Sequence, residues 1–297
     1  MPPPLTFSRA LLPLQFEPLP LLFVGIALAL YALGVRRVRR AGRRWPAARS
    51  AAYYGGVAVV AFATLAGLAV YDSVLFSVHM AQHLMLGLAG PMLLSLGAPV
   101  TLLLGASGQV GRRRIGRLLA SRPVGVLTHP AVAWLLFVAS PFALYFSPLY
   151  ELSLRHGVVH ALVHAHFLIV GSLFCWPLVG ADPVPHRQSP GARMLFAVLT
   201  LPFHAFLGVA IMGSSTLLAG DYYAGLGRTW GGSLIQEQNA GGGLLWVAGD
   251  LIGLVLVVLL LREWARSDDV IAAREDLRID AAERAAGRPA KDATRPY

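Results

Sequence analysis

Charge is scarce in this chain. Asp, Glu, Lys and Arg together make up 13% of 297 residues, while 56% are hydrophobic. A soluble domain carries about 25% charged residues. So few solvated groups cannot cover a surface in water, and the composition predicts an integral membrane protein. Cysteine is nearly absent as well. The single Cys175 excludes an intrachain disulfide framework and any CxxC metal or redox motif, and it is expected as a buried thiol. Of the 25 basic residues only Lys291 is a lysine. No membrane-embedded lysine is then on offer for a Schiff base, which excludes a retinal protein. The N-terminus has no basic region leading to a small-residue cleavage site, which predicts no removable signal peptide. No repeat of fixed period is found, and no soluble stretch is large enough for a separate active site.

What is present is apolar and periodic in a different sense. Seven apolar runs cover about 19–35, 51–71, 77–104, 130–147, 157–178, 194–219 and 242–261. Each approaches the roughly 20 residues a helix needs to span a bilayer, and the third is long enough to tilt or kink at Pro91. The net charge of +10 is distributed unevenly between alternate connections. Segments 36–49, 105–129 and 179–193 and the tail after 261 hold 22 of the basic residues, against Arg9, Arg155 and Arg228 elsewhere. Position therefore points to lipid rather than to nucleic acid. The positive-inside rule puts the N-terminus outside and the C-terminus in the cytoplasm, as an odd number of spans also requires. The expectation is an all-α seven-helix membrane bundle over 19–261, an exoplasmic segment 1–18 and a charged cytoplasmic tail 262–297. That tail reads as a solvated helix with Ser267 as N-cap and Asp268 and Asp269 in its first turn, ending in a disordered 287–297.

Ionisable residues in a membrane are costly and usually mark function. Here they are histidines. His79 and His83 fall at the outer end of the third run, His160, His164 and His166 in the fifth, and His204 near the middle of the sixth. The spacings 79/83 and 160/164 each put two imidazoles on one helix face; His166 points elsewhere. With thioethers from Met80 and Met212, the outer half gathers a His/Met donor set that suits copper, with Cu(I) favoured by soft sulfur. Three histidines also satisfy zinc. The sequence HMAQH lacks the glutamate of a zincin. Any one histidine reads equally well as a capping or interhelical hydrogen-bonding residue, and each methionine reads first as packing. Two pairs at one depth favour a shared site. The loop before the seventh run brings Glu237, a candidate carboxylate behind a metal-bound histidine, and Gly241–Gly243 at a helix entrance. It reads equally as an interfacial lid. Asp250 is an acid inside the seventh run without an obvious partner.

The segments HMAQHLMLGLAGPMLLSLGAP (79–99), HALVHAHFLIVGSLFCWPLVGADPVP (160–185), LPFHAFLGVAIMGS (201–214) and EQNAGGGLLWVAGD (237–250) resemble, in order, the CtaG-type family of membrane cytochrome c oxidase assembly proteins. In some relatives this module resembles the C-terminal half of a fusion to a copper-resistance membrane domain, which is not expected here. The resemblance implies a bacterial plasma-membrane protein that helps mature a haem-copper oxidase by handling copper. It carries the family's histidine positions onto His79, His83, His160, His164, His166 and His204. Its acid–glutamine pair falls on Glu237 and Gln238, with glutamate where aspartate is expected.

The combined expectation is a non-enzymatic assembly factor holding Cu(I) in an outward-facing site. His83, His160 and His164 are the expected ligands, His79 and Met80 stand at the entrance, and His204 and Met212 add to the set. The expected recipient or donor is an oxidase subunit or a periplasmic-side copper chaperone. The competing readings are a haem-binding electron-transfer protein with His83 and His164 as axial ligands, a scaffold without metal, and a transporter.

Overall fold

The computed structural model describes residues 1–12 and 16–285. Among them the chain is helical, with no strand. A short α1 (Phe7–Leu11) precedes α2 (Pro18–Arg40) and α3 (Ala47–Leu65), and a single turn, α4 (Leu68–Tyr71), leads to α5 (Phe76–Leu84). Then come α6 (Gly90–Leu96), α7 (Pro99–Ala106), α8 (Gln109–Leu119), α9 (Arg122–Leu127), α10 (Pro130–Tyr145) and α11 (Leu149–Arg155). The longest members close the chain: α12 (Gly157–Val179), α13 (Pro190–Met212), the short α14 (Gly220–Gly225), and α15 (Leu234–Ala285).

Prolines start many of these helices, where the missing N–H costs nothing and the fixed φ suits the first turn. Pro18, Pro99, Pro130 and Pro190 each open one. Gly180, at φ 65°, closes α12 in the left-handed conformation.

Among the described residues four helices are long and apolar enough to cross a membrane, or up to six if each of two bent pairs is one span. Their outward faces are apolar: Leu22, Ile26 and Leu30 on α2, Val198, Phe206 and Val209 on α13, and Val247, Leu251 and Leu254 on α15 are all exposed. Contiguous greasy surface of this kind belongs against lipid.

Several elements differ from the pattern of apolar runs. The run 51–71 is not one helix, because α3 stops at Leu65 and α4 follows after Ala66–Gly67. In the run 77–104 the backbone departs from a regular α-helix just before Pro91. The residues Met85–Ala89 form a wide π-helical turn in which the Gly90 N–H bonds the Met85 carbonyl five residues back. That turn lies just where the Pro91 ring would otherwise press on the preceding turn. The bend, 40° between Phe76–Leu96 and Pro99–Ala106, falls later, at left-handed Ala98. There the Asp182 carboxylate accepts from the N–H groups of Val100 (3.0 Å) and Thr101 (2.6 Å) at the start of α7.

The last helix begins at Leu234, so Gly241–Gly243 lie inside it and not at its entrance. It continues unbroken through position 267, so no new helix starts there. The disorder expected for 287–297 lies outside the described residues.

Two clusters are the largest of the core among the described residues. One gathers Phe76, Met80, Tyr145, Tyr150, Leu207 and Ile211 around α5. The other stacks Phe137 on Phe174 (4.3 Å) and buries Cys175 beside them. Helices α13 and α15 meet backbone to backbone: a Cβ on Gly208 would stand 2.6 Å from the Gly242 carbonyl and 2.7 Å from Trp246 Cβ. Small residues permit this approach between apolar helices.

Candidate metal centre

The site is built on α5 and α12; α12 packs against the Met85–Ala89 turn and α6, which continue α5. On α5, one helical turn separates His79 from His83, and their rings stand 4.0 Å apart. On α12 the same period puts His160 and His164 4.3 Å apart. Across the two helices His79 faces His160 at 5.5 Å and His83 faces His164 at 5.6 Å. Four imidazoles therefore form a rectangle of two rungs. One ligand atom from each of His79, His83 and His160 lies within 4.8 Å of the others, and the same holds for Asp72, His160 and His164.

Each ring is held by its surroundings. The Tyr145 hydroxyl is 2.5 Å from His83 Nδ1, and Phe167 stacks on the other side of His83 at 4.5 Å. Tyr150 stands edge-on to His79 at 5.0 Å, its own hydroxyl bonded to that of Tyr223 at 2.7 Å. Gln82, fully buried between the two α5 histidines, donates to the Ala63 carbonyl at 2.8 Å and ties α5 to the end of α3.

The ring nitrogens that face inward have no partner. Both nitrogens of His79 and the Nε2 atoms of His83, His160 and His164 are buried without a hydrogen bond. A buried polar atom left in that state costs about 1–3 kcal/mol, so four such imidazoles in one place, each with one lone pair to give, mark a site shaped for something that accepts lone pairs. Neutral imidazoles and a carboxylate suit a borderline or soft cation such as copper or zinc. The residues present fit such an ion.

Asp72 is the member that the histidine pattern did not reveal. Its Oδ2 lies 3.5 Å from His160 Nε2. That is long for a charged hydrogen bond and close to the separation of about 3.3 Å between ligand atoms around one tetrahedral ion. Burial is the largest effect on its carboxyl and pushes it up to about 7. The signal in the sequence is an acid in the short gap between the runs 51–71 and 77–104, on the same side as both histidine pairs.

Other expected members sit elsewhere. His166 is on the exposed side of α12, its Nε2 2.8 Å from Ser140 Oγ. His204 is buried between Phe137 (5.8 Å) and Gly249, away from the rectangle. Met80 is fully buried in the core against Gly241, and Met212 packs on Gly242 and Gly243.

Glu237 does not reach a histidine. Its Oε2 accepts from Ser77 Oγ (2.7 Å) and from the Ser77 N–H (3.4 Å), capping the start of α5 just above His79. Gln238 is also turned away: it accepts from the Leu218 N–H and donates to the Ile211 and Thr216 carbonyls, fastening the turn after α13.

The profile of the cytochrome c oxidase caa3 assembly factor family matches residues 29–267, a stretch that contains every residue of the rectangle. The chain belongs to this caa3 assembly factor family. The resemblance carried by the four histidine- and glycine-bearing segments is thus the right one. Family relatives include proteins of Mycobacterium bovis and Mycobacterium tuberculosis, each 39% identical over 290 residues, covering 94% of this chain and 43% of the relative. A Mycobacterium leprae protein is 36% identical over 259 residues, covering 84% of the chain and 39% of the relative. The chain thus spans about two-fifths of the length of the curated relatives it matches. No solved structure matches it.

Proposed function

We propose that this family member assists cytochrome c oxidase assembly by holding copper in the histidine rectangle and passing it on. The observation that carries the reading is the set of five unpartnered buried ring nitrogens on His79, His83, His160 and His164. Handing on a metal needs no covalent chemistry and no turnover. It needs ligands that hold a cation without enclosing it, and the side chain of His160 keeps 14% of its surface accessible.

The arginine asymmetry supports seven spans with this end of the bundle on the outer face of the plasma membrane. There an oxidase subunit or a copper chaperone on that side is the natural partner. His83 is the best oriented ligand, since a proton on Nδ1 donated to Tyr145 leaves Nε2 free for the metal. His79, the most buried of the four, is read as a ligand rather than an entrance residue.

The packing argues against haem. A macrocycle between His83 and His164 would displace Phe167 from the His83 ring. It would also part the helices where Gly171 rests on the backbone of Gly87.

The test is copper analysis with an absorption spectrum on the detergent-purified full chain, reconstituted with Cu(I) under reducing conditions, beside His83→Ala and His160→Ala. One copper per chain, lost or strongly weakened in both variants and without a Soret band, is expected. Three samples alike and free of metal would overturn the copper reading.

A further inference from the structure

Resting on that reading, we infer that the centre is two overlapping subsites with His160 as their common ligand. The peripheral one is Asp72, His160 and His164, and the inner one is His79, His83 and His160. Each set gathers its ligand atoms within 4.8 Å, and His160 is the only residue in both.

The two sets differ in exposure and in donor chemistry. His79, His83 and Asp72 are 0%, 4% and 5% exposed, whereas His160 and His164 are only partly buried. An ion arriving from water therefore meets His160 and His164 first, two of the three ligands of the Asp72 set. The carboxylate supplies a negative charge where a cation leaves water, offsetting part of its desolvation. The inner set offers three neutral nitrogens and closer enclosure.

A neutral imidazole has one nitrogen lone pair to give. One His160 thus serves a single cation at a time, and the two subsites are alternatives. The ion moves between them while His160 stays bound. Its bonds to the Asp72 carboxylate and the His164 ring break as bonds to the His79 and His83 rings form. No electron is transferred and the ion is never released as a free aquo cation. Asp72 is then the residue that admits and releases the metal, and His79 with His83 sets how tightly it is held.

The experiment follows transfer of Cu(I) from its bicinchoninate complex to the full chain in detergent, by stopped flow and by equilibrium competition. Wild type is compared with Asp72→Asn, His164→Ala, His79→Ala and His160→Ala, each checked for fold by circular dichroism and gel filtration. Wild type is expected to take one copper per chain. Asp72→Asn should still take one, loading about tenfold more slowly, and His164→Ala should behave likewise, which covers the case of an Asp72 variant that does not fold. His79→Ala should load at the wild-type rate but hold copper about tenfold more weakly. His160→Ala should lose both properties. Wild-type loading rates in Asp72→Asn and His164→Ala, or two coppers on one wild-type chain, would overturn the shared-ligand arrangement while leaving the copper reading standing. No copper on wild type would overturn both.

Discussion

The Tyr145 hydroxyl approaches His83 Nδ1 to 2.5 Å, joining the end of α10 to the second turn of α5. It fixes the ring plane of His83 and, in the tautomer that ligates through Nε2, accepts the Nδ1 proton. Removing such a partner usually costs 10–100-fold in metal affinity. Tyr145→Phe is expected to weaken Cu(I) binding about tenfold with unchanged stoichiometry, read by chelator competition. An affinity equal to wild type would show that Phe167 alone orients the ring.

Glu237 belongs to α15 yet caps α5 through Ser77. Losing a side-chain cap costs about 1 kcal/mol, and here the cap stands half a turn from His79. Glu237→Ala should lower the melting temperature in detergent and weaken copper binding modestly. Ser77→Ala should reproduce most of the effect on stability. If Glu237→Ala melted like wild type, the two helices would be held by packing without help from this carboxylate.

Close backbone contact between α13 and α15 leaves no room for a methyl group. Gly208→Ala would place its Cβ 2.6 Å from the Gly242 carbonyl oxygen, an overpacking that costs about 1–3 kcal/mol. A lower melting temperature is expected for Gly208→Ala and not for Gly157→Ala, where nothing lies within 4 Å of the added atom. Equal melting of the two variants would contradict the backbone contact.

His166 and His204 lie outside the rectangle, the first bonded to Ser140 and the second packed on Phe137 and Gly249. Alanine at either position should leave copper stoichiometry at the wild-type value, measured by elemental analysis after desalting. Loss of metal in His204→Ala would extend the ligand set towards the centre of the bundle.

Arg193 closes the far end of the bundle. Its guanidinium donates to the Leu178 and Val179 carbonyls at the end of α12 and forms a two-point pair with Glu263 of α15, at 3.0 and 2.5 Å. A lysine cannot reproduce that fork. Arg193→Lys should unfold at lower temperature while copper binding, measured on the folded sample, is preserved.

Much of this arrangement is local and therefore legible in the chain itself. Apolar runs declare helices that need lipid, because composition alone decides whether a surface can be solvated. The 79/83 and 160/164 spacings declare two histidine faces, because the helical period is the same wherever a helix forms. Contacts between segments are another matter. That His79 faces His160, that Asp72 joins His160, and that His204 and Met80 do not join them depend on the rotation and depth of whole helices, which are set by contacts such as Gly171 on Gly87. The role of Glu237 was hidden for the same reason: its partner Ser77 is remote in sequence, and the helix it sits on starts earlier than the glycine run implies. Sequence determined the elements and the chemistry each one carries; packing decided which chemistries meet, since only close contact between backbones sets the distances a metal ion would read.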